Sequence, residues 1–223
     1  MHMRNIILAA LALEIVAFAQ GPVTTLAVTD APFQVRYAAN LNHGESYINI
    51  VNDGANGAPL LGPGLGGAVG NICVNVYAFD PNEEMISCCS CLVTPDQVRN
   101  LGVNRDITSN TATGVIPSSM TVKLLSTLAG TGGSGTSCTN AASSVNTATV
   151  VEGMAAWGTT LHALAVDEDG TTYATTETPF TPATFSAGEL AHLANTCSFI
   201  IGDLSGFGIC ASCRSGALGG QKM

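Results

Sequence analysis

The eight cysteines of this 223-residue chain constrain its fold more than any other feature. In the cytosol, CCxC and CxxC patterns suggest a metal or redox centre, whereas in an exported chain an even number of cysteines predicts disulfides. The meaning of these cysteines therefore depends on the compartment. They are Cys73, Cys88, Cys89, Cys91, Cys138, Cys197, Cys210 and Cys213.

The N-terminal residues predict export. Arg4 supplies a positive charge, residues 6–18 are apolar apart from Glu14, and residues 17–19 form a small-x-small cleavage pattern. We expect residues 1–19 to be a signal peptide and the mature chain to begin at Gln20. The alternative, an uncleaved membrane anchor, needs a longer apolar run of about 20 residues. The expected protein is secreted, located outside the cell or at its surface, with no membrane span in the mature chain.

Four disulfides are the favoured arrangement of the eight cysteines, although 105 pairings are possible. Cys197 lies on the apolar face of a predicted helix, so we expect it to pair with Cys210 or Cys213 in the tail. The alternative is a zinc site of Cys88, Cys91, Cys210 and Cys213, because zinc accepts four thiolates at such spacings. In an exported chain the disulfides are preferred, and no cofactor or metal is expected.

Charge is scarce in this chain. Charged residues make up 10% of it, against about 25% in a typical globular protein. The net charge is −9 with only seven Lys and Arg residues, which disfavours nucleic acid or an anionic membrane as a partner. Such a surface offers little like-charge repulsion to keep copies apart. The composition suits a secreted protein that adheres or assembles.

Alternating apolar and polar residues predict a chain of short strands. Residues 80–83 predict a turn that joins two strands into a hairpin, and residues 167–170 predict a second tight turn. Many strands at short spacing indicate a mainly β fold, a disulfide-stabilised β-sandwich of Ig-like or jelly-roll-like type, as one domain over residues 33–223. The predicted strands are 33–37, 47–51, 73–79, 85–93, 120–125, 148–151, 158–166 and 171–176.

Two helix starts carry capping signals. Thr94, Pro95 and Gln97 predict a short helix that ends before Gly102. A longer helix is predicted from Ser186, where residues 186–189 form a capping box. Its apolar residues recur at helical spacing and predict a buried face. That face carries Leu190, Leu193, Ala194 and Cys197.

No group of residues predicts catalysis. The histidines of the mature chain are His43, His162 and His192, and none has a nucleophile or a metal-ligand spacing beside it. We therefore do not expect an enzyme. Residues 62–67 match GxGxxG but do not open a helix, so they predict a loop. Residues 167–169 are acidic and could bind calcium, although a solvated turn explains them better.

Aromatic residues leave one binding alternative open. Trp157 is a possible ligand contact, because sugar-binding surfaces expose rings to the apolar faces of sugars. Aromatics are only 5% of the chain, and a sandwich of this size needs most of them in its core. Core packing is therefore the preferred interpretation of Trp157 and of Tyr37, Tyr47, Tyr77 and Tyr173.

Several segments resemble a group of secreted, cysteine-rich proteins of soil bacteria of the acidobacterial type. The segments are residues 73–81 (CVNVYAFDP), 88–91 (CCSC), 156–162 (AWGTTLH) and 206–213 (GFGICASC). The similarity covers most of the chain from about residue 30. It implies export and one compact unit, and it carries no activity or binding residues.

The leading functional hypothesis is self-assembly outside the cell, as a filament or surface-layer subunit. Residues 20–32 are expected to form an extended N-terminal arm, which could add a strand to the sheet edge of a neighbouring copy. The expected partner is thus another copy of the chain. The alternative is a monomeric module that binds a polysaccharide or another surface through Trp157. The arm residues expected to make the contacts are Gly21, Val23, Leu26 and Val28.

Overall fold

Two antiparallel sheets packed face to face form the centre of the computed structural model. The structure describes residues 31–60, 69–95, 97–130, 135, 137–167 and 170–213. The predicted signal peptide, the predicted arm up to residue 30, the loop 62–67 and the acidic residues 168 and 169 lie outside the described residues.

One sheet has five strands in the order β4-β3-β6-β1-β9, and the other has four in the order β5-β2-β7-β8. Every neighbouring pair is antiparallel. This confirms the predicted mainly β sandwich. The strands are β1 (Phe33–Ala38), β2 (Tyr47–Asn52), β3 (Ile72–Phe79), β4 (Met85–Val93), β5 (Val98–Gly102), β6 (Met120–Leu128), β7 (Met154–Asp167), β8 (Gly170–Pro179) and β9 (Thr181–Pro182).

The main core lies between the two sheets. Because side chains alternate along a strand, every second residue of β2 and of the first half of β7 points inward. These inward residues are fully or almost fully buried and meet the inner faces of β3, β4 and β6. The main core residues include Ile48, Ile50, Val74, Val76, Val122, Leu124, Met154 and Ala156.

A helix, α1 (Ala187–Gly202), covers the outer face of the five-stranded sheet. Its start is confirmed, since the Ser186 hydroxyl accepts the Glu189 amide at 3.0 Å. The predicted helix face is also confirmed, with Leu190, Leu193, Ala194 and Cys197 all buried. They pack in one cluster with Phe33, Tyr77 and Leu125 of the sheet. No helix in the described part of the chain is both long and apolar enough to cross a membrane.

The predicted helix at 94–101 is wrong. The local contacts do form: the Thr94 amide donates to the side-chain oxygen of Gln97 at 3.1 Å, and the Gln97 amide donates to the Thr94 carbonyl at 3.1 Å. The chain nevertheless continues as β5, because pairing with β2 buries Leu101 completely. A π-helical turn, Val103–Ile107, follows and has no counterpart in the sequence predictions.

The predicted strand at 148–151 is also wrong. Only an isolated bridge between Thr127 and Val150 joins this segment to β6. The Thr149 hydroxyl instead bonds to the carbonyls of Ser144 and Asn146, which holds a turn. Local hydrogen bonds of this kind compete with strand pairing, and here they prevail. The other predicted strands form, with β6, β7 and β8 longer than expected.

All eight cysteines form disulfides, as predicted, in the pairs Cys73–Cys138, Cys88–Cys197, Cys89–Cys210 and Cys91–Cys213. The expected pairing of Cys197 with the tail is wrong. Adjacent residues of β4 point to opposite faces, so one of them meets α1 and the next meets the tail inside the core. Among the described residues no cluster of His, Cys, Asp and Glu could hold a metal ion. The disulfides indicate an oxidising, extracytoplasmic compartment.

Candidate assembly edge and binding face

The two sheets have four edge strands, and three of them are short or covered. β9 has two residues and β5 has five. The edge of β4 is covered by the tail: the Cys88 amide donates to the Gly208 carbonyl at 2.9 Å, and the Cys210 amide donates to the Cys88 carbonyl at 3.3 Å. β8 has ten residues, and no strand in the described part of the chain pairs with its outer side. Among the described strands it is the long edge without a partner.

Backbone contacts show which groups of β8 face outward. The Phe180 amide donates to the Ala156 carbonyl at 2.8 Å, so the even-numbered residues at this end of β8 bond to β7. The amides and carbonyls of Tyr173, Thr175 and Glu177 therefore face away from the sheet. We call these groups the β8 edge. Pro179 has no amide to present there, which suits a residue on an open edge.

Proteins usually protect an edge strand with lysine, proline, a bulge or a short length. Between Tyr173 and Thr178, β8 has no lysine and no proline, and only Glu177 is charged. The register irregularity of this hairpin lies between Ala163 and Ala165 on β7, so the extra residue is on β7 and not on β8. The β8 edge is thus weakly protected against pairing with another strand.

Arg36 binds β8 at Thr178, next to the β8 edge. Its guanidinium donates to the Thr178 carbonyl at 3.0 Å and to the hydroxyls of Thr178 and Thr160 at 2.6 Å each. The side chain lies over Gly158, where a Cβ would approach its Nε within 2.4 Å. Burial lowers the pKa of Arg36, although Glu177 nearby acts in the opposite direction. The residue fastens β1 to the β7–β8 hairpin and leaves the Tyr173–Glu177 part open.

The outer face of the four-stranded sheet is the second candidate surface. α1 covers the five-stranded sheet, but no described element lies across these strands in the same way. Their outward residues include polar and aromatic side chains, beside the apolar Val51, Val98 and Ala155. We define the polar face as Tyr47, Asn49, Asn100, Trp157, Thr159 and Glu177.

A chain of side-chain hydrogen bonds crosses the polar face. Asn100 of β5 donates to Asn49 Oδ1 at 2.7 Å, and Asn49 donates to Glu177 Oε1 at 2.6 Å. The second bond passes over β7, because Asn49 pairs with Trp157 while Glu177 pairs with Thr159. The three polar groups therefore hold fixed positions beside the indole ring.

The aromatic residues divide between the core and the surface. Tyr77 is fully buried, and burial raises its pKa, so core packing is confirmed for this residue. Tyr37 is 61% exposed and Tyr47 is 38% exposed, so core packing is wrong for both. Trp157 and Tyr173 are partly buried. Trp157 lies on the polar face, and Tyr173 stacks on the exposed His43 with ring centroids 4.9 Å apart.

The three histidines make separate contacts in the described residues. His162 is exposed and bonds to the Thr176 hydroxyl at 2.7 Å. His192 lines a cleft of about 350 Å³ with Phe79, Lys123 and Glu189. There Lys123 pairs with Glu189 at 2.5 Å and lies 4.8 Å from the centroid of the Phe79 ring. The Lys123 charge is therefore neutralised by Glu189 of the same chain, and this ion pair joins β6 to α1 across the cleft.

Comparisons with known proteins give no relative: no family model, no curated protein and no solved structure matches this chain.

Proposed function

We propose that this protein is a secreted structural subunit that polymerises outside the cell by accepting a strand from another copy along the β8 edge. The observation that carries the proposal is the ten-residue edge strand, which no other described strand pairs on its outer side, while the other edges are short or covered. An unpaired row of amides and carbonyls is a template for an added strand.

The donor in this proposal is the N-terminal arm of the neighbouring copy. The arm leads directly into β1, and near its end the Ala31 carbonyl accepts a hydrogen bond from the Gln34 side chain at 2.9 Å. Residues 21–28 contain two Val and two Thr, residue types that favour a strand, and they carry no charge. Backbone hydrogen bonds give such a strand its affinity without requiring particular side chains.

The low charge and the disulfides support the same function. The chain carries a net charge of −9, but the proposed contact itself carries little charge, because residues 21–28 have none and residues 173–178 have only Glu177. Four disulfides fasten α1, the tail and the loop at Cys138 to the five-stranded sheet, each contributing typically about 2–4 kcal/mol. A subunit built in this way withstands mechanical and chemical stress outside the cell.

The test compares the mature protein with two altered forms by sedimentation and negative-stain electron microscopy. One form lacks residues 20–30, and the other carries Thr175→Pro, which removes an outward amide from the β8 edge. We expect fibres or sheets from the mature protein and single particles from both altered forms. Thr175→Ala is the matched control, because it keeps the amide and should assemble.

Each contrary outcome shows which part of the proposal is wrong: assembly, the donor strand or the acceptor strand. Single particles from the mature, oxidised protein would contradict assembly itself. Normal assembly without residues 20–30 would show that the arm is not the donor. Normal assembly of a folded Thr175→Pro protein would show that β8 is not the acceptor.

A further inference from the structure

The polar face has the chemistry of a carbohydrate-binding surface. Tyr47 and Trp157 lie on adjacent strands, where Tyr47 stands next to Thr159 and Asn49 stands opposite Trp157. The two residues are therefore diagonal neighbours, whose Cα atoms lie about 7–8 Å apart at this kind of position. Ring faces of this kind pack against the apolar C–H faces of sugars.

Fixed polar groups stand beside these rings. The amides of Asn100 and Asn49 and the carboxylate of Glu177 are joined in one hydrogen-bonded chain. Each group keeps further donor or acceptor capacity, because an amide offers two donors and two lone pairs and a carboxylate offers two oxygens. Amides and carboxylates are suitable partners for sugar hydroxyls, which both donate and accept. Sheet strands hold the groups in place, so little ordering is needed on binding.

The charges on and near the polar face indicate which class of ligand it can bind. No described cation projects from the four strands on this face: Arg99 of β5 points the other way and donates to the Leu92 carbonyl of β4 at 3.1 Å. The two arginines near the face already have partners, since Arg105 pairs with Asp106 and Arg36 donates to Thr178 and Thr160. An acidic polysaccharide would therefore meet the Glu177 carboxylate without a free cation among the described residues to offset it. An apolar partner would bury Asn49, Asn100 and Glu177 without replacing the hydrogen bonds that they make to water, which costs free energy. A neutral polysaccharide avoids both penalties.

We infer that the polar face binds a neutral polysaccharide, with Trp157 and Tyr47 as ring contacts and Asn49, Asn100 and Glu177 as hydroxyl partners. This binding does not depend on assembly, since every residue of the face belongs to one copy. It gives the protein a second property, attachment to a carbohydrate surface.

The test uses protein lacking residues 20–30, so that polymerisation does not contribute to retention. Its depletion from solution is measured on insoluble cellulose, chitin, β-1,3-glucan and mannan. We expect retention on at least one of these, reduced about tenfold by Trp157→Ala, which corresponds to about 1.4 kcal/mol. Asn100→Ala, at an exposed position, should weaken retention in the same direction without disturbing the core.

Tyr37→Ala is the matched control, because Tyr37 is exposed but lies on β1 in the other sheet. It should bind as the parent does. Absence of retention on all four polysaccharides would overturn the inference. So would unchanged binding by both Trp157→Ala and Asn100→Ala, or an equal loss in Tyr37→Ala. Thermal unfolding of each variant separates lost binding from lost structure.

Discussion

Asp106 joins three parts of the chain at one carboxylate. It accepts the Gly102 amide at 2.7 Å, an Arg105 guanidinium nitrogen at 2.6 Å and the Ser212 hydroxyl. Its own carbonyl accepts the Ala211 amide at 2.7 Å. The end of β5, the π-helical turn and the disulfide-bonded tail are therefore fastened together. Burial alone would raise the pKa of Asp106, but the hydrogen bonds outweigh it and hold the pKa below its ordinary value.

This carboxylate predicts a pH dependence of stability. A carboxyl group with a lowered pKa in the folded state contributes stability above its unfolded pKa of about 3.9 and loses it as the pH falls through the folded pKa. Asp106→Asn should lower the free energy of unfolding by about 1–3 kcal/mol at pH 7. Urea unfolding at pH 7 and at steps down to pH 2 measures the difference from the parent.

The gap between the parent and Asp106→Asn should shrink as the pH falls. Asp203→Asn is a matched control: its pKa is lowered as well, by hydrogen bonds from Ser205, but the carboxyl is exposed at the end of α1. A gap for Asp106→Asn that stays constant from pH 7 to pH 2 would contradict this account. The sequence contains no signal for this role, because the partner Ser212 lies 106 residues further along the chain.

At the level of elements, local patterns predict a structure where tertiary contacts agree with them. The Ser186 capping box and the apolar helix face agree with the packing of α1, so that helix could be predicted. Thr94 and Gln97 make the contacts of a helix start, yet pairing with β2 and burial of Leu101 favour a strand. Propensity is a weak preference that such pairing overrides.

The disulfide pairing could not be read from spacing for a similar reason. Alternation along a strand places adjacent residues such as Cys88 and Cys89 on opposite faces, but it does not show which partner lies on which side. That depends on α1 covering the five-stranded sheet from outside while the tail enters the core. Both are arrangements between elements far apart in sequence.

The pairing predicts where local stability is lost when a disulfide is removed. Cys88–Cys197 connects β4 to α1, whereas Cys73–Cys138 connects β3 to the loop before residue 144. Replacing Cys88 and Cys197 by Ala should lower the free energy of unfolding by about 2–5 kcal/mol and speed amide exchange in α1.

Replacing Cys73 and Cys138 by Ala is the matched control for that experiment. It should speed exchange in the loop around Cys138 and leave α1 protected. Hydrogen exchange followed by mass spectrometry resolves the two regions. Equal acceleration of α1 in both double variants would show that the disulfides act globally and not on the elements they join.

For the whole molecule, the open edge and the polar face both arise from the order of the strands. Alternation in the sequence predicts that β8 is a strand, but its position at an edge depends on every other pairing in the sheet. Trp157 was a candidate ligand contact from its residue type alone. Its neighbours Asn49, Asn100 and Glu177 come from three other strands, so the group as a whole could not be predicted from the sequence.

Together the two proposals predict that assembly strengthens attachment to carbohydrate. Every copy carries one polar face, so a polymer presents many faces to one surface, and linked sites can exceed single-site affinity by about 10²–10⁴. Retention of the assembled mature protein on a neutral polysaccharide should therefore exceed that of the form lacking residues 20–30 by about tenfold or more. Depletion isotherms at equal subunit concentration measure this.

Trp157→Ala in the assembling protein is the control that separates attachment from entrapment. If the faces act together, the substitution should remove most of the gain, because each weakened site lowers the affinity of the whole array. Fibres that merely sediment with the polysaccharide would be retained equally with and without the indole. Equal retention of assembled and arm-deleted protein, both sensitive to Trp157→Ala, would instead mean that assembly turns the polar faces away from a common surface.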